Sequence, residues 1–252
     1  MSVFSLIIAS FLLIIPISIS YKQKLHLEKE LIISILRAII QLVAVGYILE
    51  WVFNVRNSIL TTVLVLIMIF NAAFNTKKRG EGIKNVVLIS FISLIIGAFI
   101  TLFVLVLSGA ISYTPNDIIP IAGMIVSNSM IAIGLSYTNL RTSFKTRRSE
   151  VEVKLSLGAD INVASKDIVR ESIKMAIIPS LDSAKTLGIV SLPGMMTGLI
   201  LAGSSPLTAI KFQIMVTFMI LSSASISTLI ATYFSYKDFF NDRKQLKERP
   251  TA

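Results

Sequence analysis

The chain contains no cysteine. Disulfides, zinc–thiolate sites, iron–sulfur clusters and thiol nucleophiles are therefore excluded. Histidine is almost as scarce. The single one, His26, lies in the charged run YKQKLHLEKE and reads as a solvated loop residue. No HExxH pattern and no pair of carboxylates within an apolar run is present, which argues against an embedded enzyme. No GxxxxGK[ST] phosphate loop is present either, so this chain is not expected to hydrolyse ATP. Charge is sparse as well. Only 15% of the 252 residues are charged, where a soluble domain carries about 25%.

What remains is apolar and segmented. Hydrophobic residues make up 54% of the chain and mean hydropathy is +0.79. Runs nearly free of charge, each long enough to cross about 30 Å of hydrocarbon as a helix, alternate with short basic clusters. The net charge of +10 therefore reads as cytoplasmic loops rather than as a nucleic-acid surface, since no basic stretch is interleaved with aromatics. The expected fold class is an all-α integral membrane protein with about seven transmembrane helices, at residues 2–20, 31–53, 58–75, 86–108, 118–140, 187–204 and 209–235. The first run lacks a basic leader and an A-x-A site, so it reads as a helix that stays.

The basic residues set the orientation. Lys22, Lys24 and Lys29 follow the first run, and Lys77, Lys78, Arg79 and Lys84 follow the third. The segment 141–186 and the tail from Lys237 carry most of the rest, so 21 of 24 fall on one side. That side is expected to be cytoplasmic, with the N-terminus outside. The outer connections are short, and residues 1–252 read as one polytopic domain in a cell membrane (inner or plasma). Segment 141–186 is its only sizeable soluble piece.

Several residues fit the bilayer poorly. Arg37 and Gln41 share a helix face at i, i+4, and two readings stay open: Arg37 snorkels to the headgroups, or the pair faces another helix. Asn71 and Asn75 repeat the spacing, which suits interhelical hydrogen bonds. In the fifth span Gly123, Ser127, Asn128 and Gly134 serve close packing or leave room for a passage. In SLPGMMTGLILAG, Gly194, Gly198 and Ala202 form a small-residue stripe. Pro193 removes a backbone donor, and the freed carbonyl needs a partner in protein or a wet cavity. Met195 and Met196 are packing residues or ligands for a soft cation. Asp182 is a helix cap or a path residue. No metal ligand set is identified, and no cofactor is expected.

Within 141–186, Gly158 interrupts a helical pattern and reads as a C-cap, with Asp160 or Ser165 capping the next helix. An acidic residue followed by LGA and a helix resembles the coupling loop of ABC-transporter permeases. The resemblance falls on Glu152, Leu157, Gly158 and Ala159. The proline, Pro179, lies farther from the glycine than in importers. A wider resemblance, carried by RAIIQL, VGYILE, FNAAFNTKKR, IPIAGMIVSNSM, KLSLGA, IPSLDSAKTLGIVSLPGMMTGLILAG and KFQIMVTFM, is to the FetB-type permease family of iron exporters and the related plant aluminium-tolerance membrane proteins. It implies a permease subunit of an ATP-driven exporter of iron or a related metal. It also implies a FetA-type ATP-binding subunit as partner and a homodimer of permease chains in the bilayer. The competing readings are a permease for a nucleotide-sugar or other small solute, and a membrane scaffold.

Overall fold

The computed structural model describes residues 3–55 and 57–247. It is helical almost throughout and forms two compact units, Met1–Arg56 and Asn57–Ala252.

The first unit holds α1 (Val3–Ser10), a 3₁₀ turn (Phe11–Leu13), α2 (Ile14–Lys22) and α3 (Glu28–Val55). The run expected as one helix over 2–20 is thus interrupted. The cause is Pro16, which has no N–H for the carbonyl of Leu12 and leaves that turn tightened. The start of α3 is tied to the end of α2 through Ser20. Its hydroxyl donates to Glu28 Oε1 (2.7 Å) and accepts from Leu27 N (3.0 Å). Apolar side chains such as Leu42, Tyr47 and Trp51 stand exposed on α3, as lipid contact requires. Arg37 and Gln41 are also exposed, and no hydrogen bond joins them.

The second unit is a bundle of α4 (Ser58–Thr76), α5 (Val86–Leu107), α6 (Pro115–Thr146), α7 (Arg148–Ser156), α8 (Ile161–Thr186), α9 (Gly194–Leu201) and α10 (Pro206–Ser235), ending in a 3₁₀ turn (Tyr236–Phe239). Asn57 caps α4 through its side-chain oxygen, which accepts from Ile59 N and Leu60 N. Pro115 and Pro206 open α6 and α10, where the missing N–H costs nothing. α6 and α10 form the centre, and α4, α5 and α8 pack around them. Their contact is sealed by apolar residues such as Ile125, Ile133 and Met219 and by paired hydroxyls: Ser129 with Ser223 (2.6 Å), Ser136 with Thr232 (2.5 Å), and Tyr137 with Ser90 (3.0 Å). Such pairs satisfy polar groups that lipid cannot.

Five helices (α3, α4, α5, α6 and α10) are long and apolar enough to cross a bilayer, and a shorter apolar stretch covers Ile8–Lys22. The chain is an all-α, multi-pass membrane protein. The helix expected over 187–204 is not continuous. α8 ends at Thr186, and a turn follows in which Gly188 (φ 80°) donates to Ser191 O (3.0 Å) and Ile189 and Val190 donate to Thr186 O. Pro193 then starts α9, and Gly203 (φ 94°) closes it. Eight residues rise only about 12 Å, well short of the hydrocarbon thickness. The run 187–204 is thus a turn followed by a short helix, and not one spanning helix. The Gly194/Gly198 stripe faces open space, since a Cβ added at either position would touch nothing within 4 Å.

Candidate functional site

Two places gather the residues that the sequence singles out. The first is the lobe beyond α6. α7 ends in a Schellman cap: Gly158 N donates to Leu155 O and Ala159 N to Lys154 O, both at 3.0 Å. Gly158 takes φ 88°, a left-handed conformation open to glycine at little cost. The cap turns the chain into α8, whose N-cap position is Asp160. Leu157 stands at the tip, 83% exposed.

An ion-pair net holds α7 on α8. Arg147 donates from Nε and Nη2 to both oxygens of Glu150 (2.7 and 2.9 Å) and from Nη1 to Glu171 (3.1 Å). Lys154 donates to Glu150 (2.8 Å) and Asp167 (3.1 Å). These bonds, Arg147 first and Lys154 second, lower the Glu150 pKa to about 2. Glu152 is paired with Arg148 at 2.7 Å.

The sequence gives little sign that the tail completes this lobe. Residues 236–247 fold back as a hook against it. Phe144 of α6 stacks on Phe239 (4.7 Å between centroids) and meets Phe240 edge-on (5.6 Å). Asn241 Oδ1 accepts from Arg243 N and Gln245 N, closing the bend. Lys244 Nζ donates to Asp160 Oδ1 (2.9 Å), and this bond is the main cause that lowers the Asp160 carboxyl. Arg148 Nη1 donates to Lys247 O (3.1 Å), and Tyr236 bonds Asn162. Between hook and turn lies an open cleft of about 1100 Å³, with Glu152, Gly158 and Ala159 on one wall and Asn241–Lys247 on the other. The aromatic pair Phe239–Phe240 inside a basic tail is the one sequence signal that could have revealed it.

The second place is a groove of about 310 Å³ where α6, α8 and α10 converge. Asn128, Pro179 and Pro193 line it, together with Ser180, Ser183, Gln213 and Thr217, which sequence reasoning passed over. Asn128 Nδ2 donates to Met124 O (2.8 Å). Thr217 donates to Gln213 O (2.9 Å), while Gln213 Oε1 is buried and accepts nothing. An orphaned acceptor of this kind costs about 1–3 kcal/mol. The polar i, i+4 pair Gln213–Thr217 in an apolar run was the available signal.

The other candidates lie elsewhere. Ser127 is exposed and bonds back to Met124 O (3.3 Å). Asn75 donates to Asn71 O (2.9 Å) and Oδ1 (3.1 Å), so this pair bonds within its own helix and not between helices. Asp182 is exposed and paired with Lys185 at 2.9 Å. It lies near the end of α8, not at a helix start where it would cap. Met195 packs against the core and Met196 is half-buried. Among the described residues no three His, Cys, Asp or Glu side chains gather as a metal site.

A family model described as an uncharacterised protein family, UPF0014, matches residues 3–240. The chain belongs to this family. It is 52% identical to the probable iron export permease protein FetB of Escherichia coli, over 96% of this chain and 93% of that one. It is 36% identical to the protein ALUMINUM SENSITIVE 3 of Arabidopsis thaliana (95% and 88%) and 34% identical to the membrane protein YjkA of Bacillus subtilis (98% and 99%). No solved structure matches.

Proposed function

We propose that this UPF0014 chain is the permease subunit of an ATP-driven exporter of iron or a related metal, and that a separate ATPase drives it from the cytoplasm. The observation that carries this reading is the α7–Gly158–α8 turn. A rigid, capped helix hairpin presents an exposed leucine beyond the membrane-crossing bundle, as a docking element for a soluble motor requires. The basic residues of this lobe support a cytoplasmic side for it. The absence of a phosphate loop from the sequence fits ATP bound by another chain. The name of the Escherichia coli relative supports iron and the exporting direction. Because such ATPases work as pairs, two permease chains assemble with two motor subunits.

In this reading Glu152, Leu157, Gly158 and Ala159 form the contact, and residues 150–180 pass the motion on. The experiment is reconstitution with the partner ATPase in proteoliposomes. Glu152→Lys and Gly158→Trp are each expected to lower transport-coupled ATPase activity with membrane insertion intact. Normal coupling in both variants removes the docking role, and a wild-type chain that moves no metal removes the metal reading.

A further inference from the structure

The last turns of α8 carry charge at a depth where lipid tolerates it poorly. Ser183, Ala184 and Leu187 share one groove with Asn128 and Ala132, which lie near the middle of α6 (Pro115–Thr146). The nearest charges on α6 are Asp117 and Arg141, about 16 and 20 Å from Asn128 along the helix. The level of Asn128 is therefore deep within about 30 Å of hydrocarbon. Asp182 and Lys185, next to Ser183 and Ala184 in the chain, stand at this level. They are paired at 2.9 Å, with side chains 59% and 72% exposed.

Two further features fall on the same stretch. Asp182, Ser183, Lys185 and Thr186 are linked by i, i+3 and i, i+4 spacings, so they form one polar face, and all four are exposed. The helix then breaks. Residues 187–193 form a turn, and α9 starts after Pro193, which offers no side-chain cap to the first N–H groups. An exposed ion pair and an uncapped helix start are both costly against lipid tails. Irregular backbone at membrane depth persists only where it is packed in protein or lines a water-filled cavity. A dry contact with a second copy would strip water from both charges with little return. Water satisfies all of these groups at once.

We propose that the polar face over residues 182–186, with the turn that follows it, lines a water-filled path through the permease. This rests on the reading of the chain as a permease and names the segment that the solute passes. Each Asp182 is met by its own Lys185, so the wall carries no net charge. The solute class it suits is a small hydrated ion or polar molecule, not an apolar one.

The absence of cysteine from the chain makes the test direct. Ser183→Cys and Thr186→Cys are made in the full chain and assembled with the partner ATPase in proteoliposomes. Both membrane faces then meet the thiol reagents MTSET (cationic) and MTSES (anionic), with and without ATP. These charged reagents react from water and not from lipid. Ile67→Cys on α4 and Phe99→Cys on α5, exposed apolar positions of two helices long enough to cross the bilayer, are the controls. Both reporters are expected to react at least tenfold faster than both controls. Two exposed reporter positions keep the test open where one variant fails to fold. Lys185→Gln, added to either reporter, should raise the ratio of MTSET to MTSES rates about threefold, and Asp182→Asn should lower it. The inference is overturned if the reporters react as slowly as the controls, or if those of two copies join as a disulfide instead of reacting. It is equally overturned if neither charge variant moves the ratio. A chain that moves no metal while both reporters react refutes the metal reading and leaves the path standing.

Discussion

Gly97 on α5 marks a close approach to α10, and an added methyl measures it. A Cβ built there lies 2.0 Å from Ser227 Oγ, 3.1 Å from Ser223 O and 3.3 Å from Ser227 Cβ. The first distance is about 1.4 Å short of ordinary contact, so in Gly97→Ala the hydroxyl must swing away or the helices must part. A gap of 0.5–1 Å already forfeits a quarter to a half of each contact's attraction, so the cost is about 1–3 kcal/mol. Ser227 Oγ is buried and has no hydrogen-bond partner. Ser227→Ala should therefore be neutral or stabilise by about 1 kcal/mol. With Oγ removed, the methyl at position 97 faces only the two contacts above 3 Å, which yield to shifts of a few tenths of an ångström. The double variant should thus regain most of the loss. Equilibrium unfolding in mixed micelles, run on all four proteins, gives the coupling energy, expected to be about 1–2 kcal/mol in favour of the pair. A double variant within about 0.5 kcal/mol of the sum of the singles refutes the close approach.

Three further outcomes are expected. Lys244→Glu should free the hook, seen as faster amide exchange over 236–247, and adding Asp160→Lys should restore protection; persistent exchange in the double variant counts against the ion pair. Replacing Met195 and Met196 by leucine should leave transport unchanged, since Met195 packs on the core; a loss above tenfold makes them ligands. Glu150 has a depressed carboxyl, so its bonds to Arg147 and Lys154 are fully present above the ordinary carboxylate range of about 4.3. They are lost as pH falls towards about 2. A Glu150 carboxyl resonance titrating near 4.3 contradicts those bonds.

The spans at α3 to α6 and α10 were legible because length and composition decide them. What failed was the sixth span. Pro179, Asp182 and Lys185 depress the hydropathy of the second half of α8, so the apolar window slid on to 187–204. In the structure those three residues stay helical and the break falls after them, where Gly188 and Pro193 sit. The glycine cap at 158 was legible because a left-handed turn has few residues to choose from. The groove was not. Ser180, Gln213 and Asn128 lie on three helices, and only packing reveals that they face one space. The hook was hidden for another reason. A basic tail ordinarily reads as solvated, and its order rests on Phe144, about a hundred residues away in sequence.

α8 joins the two places. Its first residue follows the Gly158 turn and Asp160, and its last turns border the groove through Ser180 and Ser183. Twenty-six residues make a rod of about 39 Å. A tilt of about 5° at the motor end would carry the groove end about 3 Å, roughly the length of one hydrogen bond. Pro179 lies within the groove lining, and the backbone bond it omits makes that turn the softest point of the rod. On the proposed coupling, an impulse delivered at Leu157 reaches the groove along α8, whose softest turn lies in the groove lining.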